Sequence, residues 1–81
     1  MKKLVIEVSI RDTRKAQDAI SDCHQLDSQL EQIASNVWES SKHFDEWDDE
    51  DTEEMEQLST DIEEQLQMFG VEEFEINEEE V

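Results

Sequence analysis

Twelve carboxylates crowd the 21 residues from Phe44 to Glu64: Asp45, Glu46, Asp48, Asp49, Glu50, Asp51, Glu53, Glu54, Glu56, Asp61, Glu63 and Glu64, with Trp47 among them and no Lys or Arg. At this density carboxylates can hold a hard cation, move protons on a substrate, or meet the guanidinium and ammonium groups of a partner. The first fails on spacing. When Asp45–Glu56 is laid on the calcium-loop template, Trp47 falls at the third place, which needs an oxygen ligand, and Glu50 at the sixth, which needs a glycine. Proton chemistry fails on selectivity, since no pair is singled out or framed by a pocket. Partner binding remains.

Other reactive residues add little. Cys23 falls on an apolar stripe, where a buried thiol is inert, and its neighbour His24 points about 100° away around a helix. His24 and His43 share no metal-ligand spacing with each other or with Cys23. The reading is of a non-enzymatic protein without metal or cofactor.

Charge is distributed very unevenly. The 81 residues carry a formal charge of −19, yet residues 1–15 are locally basic through Lys2, Lys3, Arg11, Arg14 and Lys15, against Glu7 and Asp12. Beyond residue 15 only Lys42 opposes the remaining carboxylates. Such self-repulsion opposes folding at low salt and disfavours nucleic acid or an anionic membrane as direct partners. A single cysteine permits no internal disulfide, and no apolar run approaches the roughly 18 residues of a membrane span. A soluble cytoplasmic protein is expected.

The elements that must position this charge follow from periodicity. Lys3 to Ile10 alternates, with Leu4, Ile6, Val8 and Ile10 on one face, and predicts a half-buried strand. Asp12 or Thr13 then caps a helix. Ala16, Ile20, Cys23, Leu26, Leu30, Ile33 and Val37 recur at steps of three and four, predicting one long helix to about Ser41. A connection over Ser40 to Asp51 leads to a second helix from Thr52, with Met55, Leu58, Ile62, Leu66 and Phe69 on one side and carboxylates on the other. Gly70 is placed for a left-handed C-terminal cap, and Val71 to Ile76 for a second strand, with Lys3 facing Glu73 or Glu75.

The expected architecture is α+β: a small β-α-α-β unit with a two-stranded antiparallel sheet packed on a long helical hairpin. Residues 1–77 form a single acidic domain and residues 78–81 a frayed acidic tail. Trp47 has two readings, an interface anchor ringed by carboxylates or, with Phe44, a plug closing the end of the hairpin.

In size, in charge and in the segments DEWDDEDTEEMEQ and DIEEQ, the chain resembles the small acidic DNA-mimic inhibitors of phages and mobile elements, of anti-restriction or anti-CRISPR type. The resemblance implies an inhibitor that blocks the nucleic-acid channel of a defence nuclease or another basic DNA-binding protein or complex, in the host cytoplasm where a phage encodes it. The Lys- and Arg-rich N-terminal strand departs from a uniformly anionic mimic and confines any such surface to the second half. Two other readings compete. One is an immunity or antitoxin protein that neutralises a basic toxin through an interface anchored at Trp47; the other is a homodimer through the long first helix.

Overall fold

The computed structural model describes all residues from Met1 to Val81. In chain order the elements are β1 (Lys2–Val8), a 3-10 turn (Ile10–Asp12), α1 (Thr13–Asp22), α2 (His24–Gln29), β2 (Leu30–Ala34), β3 (Val37–Ser40), α3 (Asp49–Met68) and β4 (Phe74–Glu80). The strands form one antiparallel sheet in the order β2-β3-β1-β4. The chain thus runs β-α-β-β-α-β, with β3 lying between β1 and β2, a ferredoxin-like split β-α-β topology. It replaces the expected two-stranded sheet on a helical hairpin.

The core lies between the sheet and a helical layer on one of its faces. Leu4, Ile6 and Val8 of β1 and Trp38 of β3 pack with Ala16, Ala19 and Ile20 of α1, Leu26 of α2, and Met55, Leu58, Ile62 and Leu66 of α3. Ile6 pairs directly with Trp38 on one side and Ile76 on the other, so the middle of the sheet is its most apolar point. The opposite face of the sheet has no helical cover. It carries Glu7, Glu39, Glu75 and Glu79 around half-buried Val5 and Val37, so it is mainly polar, as a solvated sheet face allows.

The long first helix does not form. Cys23 takes an extended conformation (φ −100°, ψ 101°) that separates α1 from α2, and residues 30–40 turn back as a hairpin. The step pattern 23, 26, 30, 33, 37 fits a helix and also this break, because Leu30 sits on the sheet's core face while Ile33 is left 51% exposed. The turn is Ser35–Asn36, flanked by the closing pair Ala34 and Val37, with a register shift between Gln32 and Ala34. No non-glycine residue takes a positive φ, so the tight mirror-image hairpin turns are excluded and the bulge absorbs the twist instead. Asn36 locks the hairpin to β1: its side-chain amide donates to the Val8 carbonyl at 3.0 Å and its own carbonyl accepts from the Val8 N–H at 2.9 Å. A homodimer built on one continuous first helix loses its basis with that helix.

α3 is the most regular element. Asp48 caps it, its carboxylate accepting from the Glu50 N–H at 2.9 Å, and Asp49, Glu50 and Asp51 fall in the first turn, where negative charge favours the helix dipole. It therefore begins three residues before the expected Thr52. Its end follows the reading of Gly70. At φ 81° this glycine allows the Val71 N–H to reach the Leu66 carbonyl and its own N–H to reach that of Gln67, a Schellman cap with buried Val71 packed beneath it. At the other helix start neither expected cap forms, since no side chain caps α1 and Thr13 donates instead to the Ile10 carbonyl.

β4 starts and ends later than predicted. It pairs with β1 from Phe74 opposite Val8 to Glu80 opposite Lys2, so Glu78, Glu79 and Glu80 belong to the sheet and not to a frayed tail. Lys3 faces Glu79, not Glu73 or Glu75, and pairs with Glu39 of β3 at 2.7 Å.

Ser40 joins the ladder through its side chain. Its buried hydroxyl accepts from the Leu4 N–H at 3.0 Å and donates to the Lys42 carbonyl at 2.9 Å. Ser40→Ala leaves that N–H buried without an acceptor, and urea denaturation is expected to show a loss of about 1–3 kcal/mol. Exposed Ser41→Ala, the control, should stay within about 0.5 kcal/mol of the parent.

Candidate acidic interaction surface

α3 presents three sides because 3.6 residues make a turn. Met55, Leu58, Ile62 and Leu66 face the core. One flank meets α1, where the Gln65 side-chain amide donates to Asp22 at 3.3 Å. The other flank looks onto β4 across a groove of about 680 Å³. Between the flanks the helix is open to solvent, and the exposed carboxylates Asp49, Glu50, Glu53, Glu54, Glu56, Glu63 and Glu64 stand there or at its margins. Glu50 to Glu64 spans about 21 Å at 1.5 Å per residue.

Carboxylates that look equivalent in the sequence have three different roles in the structure. Asp45, Asp48 and Asp51 build the loop that enters α3. Asp45 accepts from the Trp47 N–H at 3.0 Å, Asp48 caps the helix, and Asp51 accepts from the Asp45 N–H at 2.8 Å. A second set meets cations: Glu46 lies 3.5 Å from Lys2, and Lys42 bridges Asp51, at 3.4 Å, and Glu54 while sitting over the Phe44 ring. The third set comprises Asp49, Glu50, Glu53, Glu56, Glu63 and Glu64, which meet no basic side chain, and Asp61, which receives only the Gln57 amide at 2.9 Å. The open surface is thus narrower than the full acidic run.

Trp47 and Phe44 part company. Phe44 is buried at 2% exposure, its backbone paired both ways with Lys2, whereas Trp47 is 89% exposed on a hydrogen-bonded loop. Closure of the core therefore falls to Phe44 alone. Trp47 stands beside the start of the α3 carboxylate row, in an order that costs little further to fix on binding.

The open sheet face is a second acidic surface that sequence reasoning did not assemble. Glu7 is cross-strand partner to Glu75, and Glu31 to Glu39, with Lys3 the basic side chain among them. The signal was present as alternation in β1, but Glu31 and Glu39 fell within the helix expected there. Elsewhere, no group of three or more His, Cys, Asp or Glu side chains is gathered as metal ligands would be, and no helix is long and apolar enough to cross a membrane. Cys23 is half-buried at the α1–α2 break and not within a continuous stripe.

The Asp45 N–H, and secondarily Lys42, hold the Asp51 carboxyl below the ordinary aspartate value, while Glu54 and then Asp51 hold the Lys42 ammonium above the usual lysine range. A depressed folded value means that Asp51 stabilises the loop fully above 3.8 and loses this contribution as pH falls through the folded value. The Asp45 amide resonance should therefore titrate with a midpoint below 3.8, and Asp51→Asn should abolish that step. A midpoint at or above 3.8 would contradict the contact.

No protein-family model, curated protein or solved structure matches the chain.

Proposed function

We propose that the chain is a non-catalytic inhibitor whose α3 carboxylates stand in for DNA phosphates in the basic nucleic-acid channel of a defence nuclease or another DNA-binding protein. The observation that carries this reading is the unmatched row Asp49, Glu50, Glu53, Glu56, Glu63 and Glu64 on a rigid, doubly capped helix. An ordinary solvated helix places Lys or Arg three or four residues from its acids, and α3 has neither anywhere. Successive carboxylates Glu50, Glu53 and Glu56 rise about 4.5 Å along the helix axis, comparable with the roughly 3.4 Å of duplex axis per phosphate of one DNA strand. Arginines spaced for phosphates would meet them as bidentate partners. Rigidity matters as much as charge, because a disordered acidic segment would lose conformational freedom on docking.

A second reading draws on Trp47. An 89% exposed indole on an ordered loop is the kind of residue that anchors a specific protein interface, as an immunity or antitoxin protein neutralising a basic toxin would need.

Capture of partners on the tagged protein, challenged with duplex DNA and with rising salt, separates the two. A phosphate mimic is displaced by duplex DNA and by salt, and loses affinity stepwise, severalfold per charge, through Glu50→Gln, Glu53→Gln and Glu64→Gln. An anchored interface resists both challenges and loses about 2 kcal/mol or more on Trp47→Ala alone. A partner indifferent to DNA and to the glutamine series would overturn the mimic reading.

A further inference from the structure

The two edges of the sheet are built differently. β2, at one edge, is five residues long and shifts register between Gln32 and Ala34. Shortness and irregularity of this kind blunt an edge against further pairing. β4, at the other edge, is seven residues long and keeps unbroken register with β1. It contains no proline and no bulge.

The free backbone groups of β4 can be assigned. Lys2 exchanges hydrogen bonds with Phe44, and the Val8 N–H goes to Asn36, so even-numbered residues of β1 point their main chain toward β3. Odd-numbered ones point toward β4, as the Ser9 N–H to Glu73 and the Val81 N–H to Met1 show at the two ends. In β4 the same alternation turns residues 75, 77 and 79 toward β1. It leaves the N–H and C=O groups of Phe74, Ile76, Glu78 and Glu80 facing outward.

These outward groups border the largest concavity of the molecule. The groove of about 680 Å³ between β4 and α3 has Leu4, Met55 and Ile76 at its floor and mostly polar walls, with Glu56 and Glu78 at its sides and Lys2 at one end. On the other side of the pleat, Glu75 and Glu79 project from the same strand. A regular edge with free ladder groups, a mostly polar groove with a small apolar floor on one side of it and carboxylates on the other defines what fits: an extended basic segment with small apolar side chains at alternate positions.

We propose that β4 is a docking edge where such a segment of a partner protein adds a fifth strand, its apolar side chains entering the groove beside Ile76 and Met55 and its Lys or Arg side chains meeting Glu75 and Glu79. Main-chain hydrogen bonds supply the attachment and the alternating side chains the selectivity. A second copy of this chain is a poor occupant, because β4 against β4 brings together two strands bearing Glu75, Glu78, Glu79 and Glu80. The glutamates that deter self-pairing are the groups that favour a basic strand. The site goes beyond the phosphate-mimic reading, which uses the solvent side of α3.

The probe is a capped peptide of about nine residues alternating valine and lysine, long enough to span β4. Its comparison is the same sequence N-methylated at alternate residues, which keeps the charge and removes the ladder donors. Amide hydrogen exchange on the full chain should show protection at Ile76 and Glu78 with the first peptide, and at least about tenfold weaker binding of the second. Glu78→Pro, which removes one outward N–H, should weaken binding more than Glu78→Gln, which removes only the charge. The Glu50→Gln, Glu53→Gln, Glu64→Gln triple variant should still bind the peptide, so failure of the mimic reading would leave this result standing. Equal affinity for the two peptides, protection elsewhere than β4, or no binding of either would overturn the proposal.

Discussion

Repulsion among carboxylates that have no cation to meet is the constraint around which this fold is arranged. Four of the six basic side chains are engaged in ion pairs: Lys2 with Glu46, Lys3 with Glu39, Arg11 with Glu73, and Lys42 with Asp51 and Glu54. Each tethers a different part of the structure, and none reaches the solvent side of α3 beyond its first turns. The apolar core must therefore hold that helix against its own charge. It does so with four fully internal contacts, Met55, Leu58, Ile62 and Leu66, and with caps at both ends that leave little to fray.

The same constraint explains the division of labour among the acids. Asp45, Asp48 and Asp51 have side chains short enough to bond nearby main-chain N–H groups, and they build the entry to α3. The longer glutamates project clear of the surface. Lys42, the one cation in the acidic half, is spent at the start of the helix on Asp51 and Glu54, which leaves the rest of the row open. Surface pairs of this sort contribute little stability each, so their value lies in fixing the loop that carries Trp47 outward.

Where local pattern and tertiary environment agree, the sequence was legible. β1, the apolar face of α3 and the Gly70 cap all follow from spacing and one residue type. Residues 23–40 were not, since steps of three and four residues satisfy a helix while Leu30, Trp38 and Ser40 also satisfy a hairpin whose inward positions alternate. The turn dipeptide Ser35–Asn36 and the strand-forming Val37 and Trp38 were the available signals. β4 was cut short for a different reason: Glu78 to Glu80 have poor strand propensity, and it is the backbone ladder with Leu4, Lys3 and Lys2 of β1 that places them in the sheet. Within the candidate surface, density of charge was visible, but which carboxylates are structural depended on backbone geometry that no spacing rule encodes. Trp47 could be read either way until Phe44 was seen to fill the core by itself.

Thermal unfolding of a Glu53→Gln, Glu56→Gln, Glu64→Gln variant at low salt, its three sites all beyond the first turn of α3, tests the account most directly. If the open row is carried against folding and not for it, removing three charges relieves like-charge contacts worth about 0.2–0.5 kcal/mol each. The melting temperature should then rise by roughly 4–8 °C per kcal/mol gained, and the gain should shrink toward zero near 1 M salt, where screening acts within about 3 Å. A variant that melts at or below the parent at low salt would show that these carboxylates support the fold, and would contradict the view that they are held there for a partner.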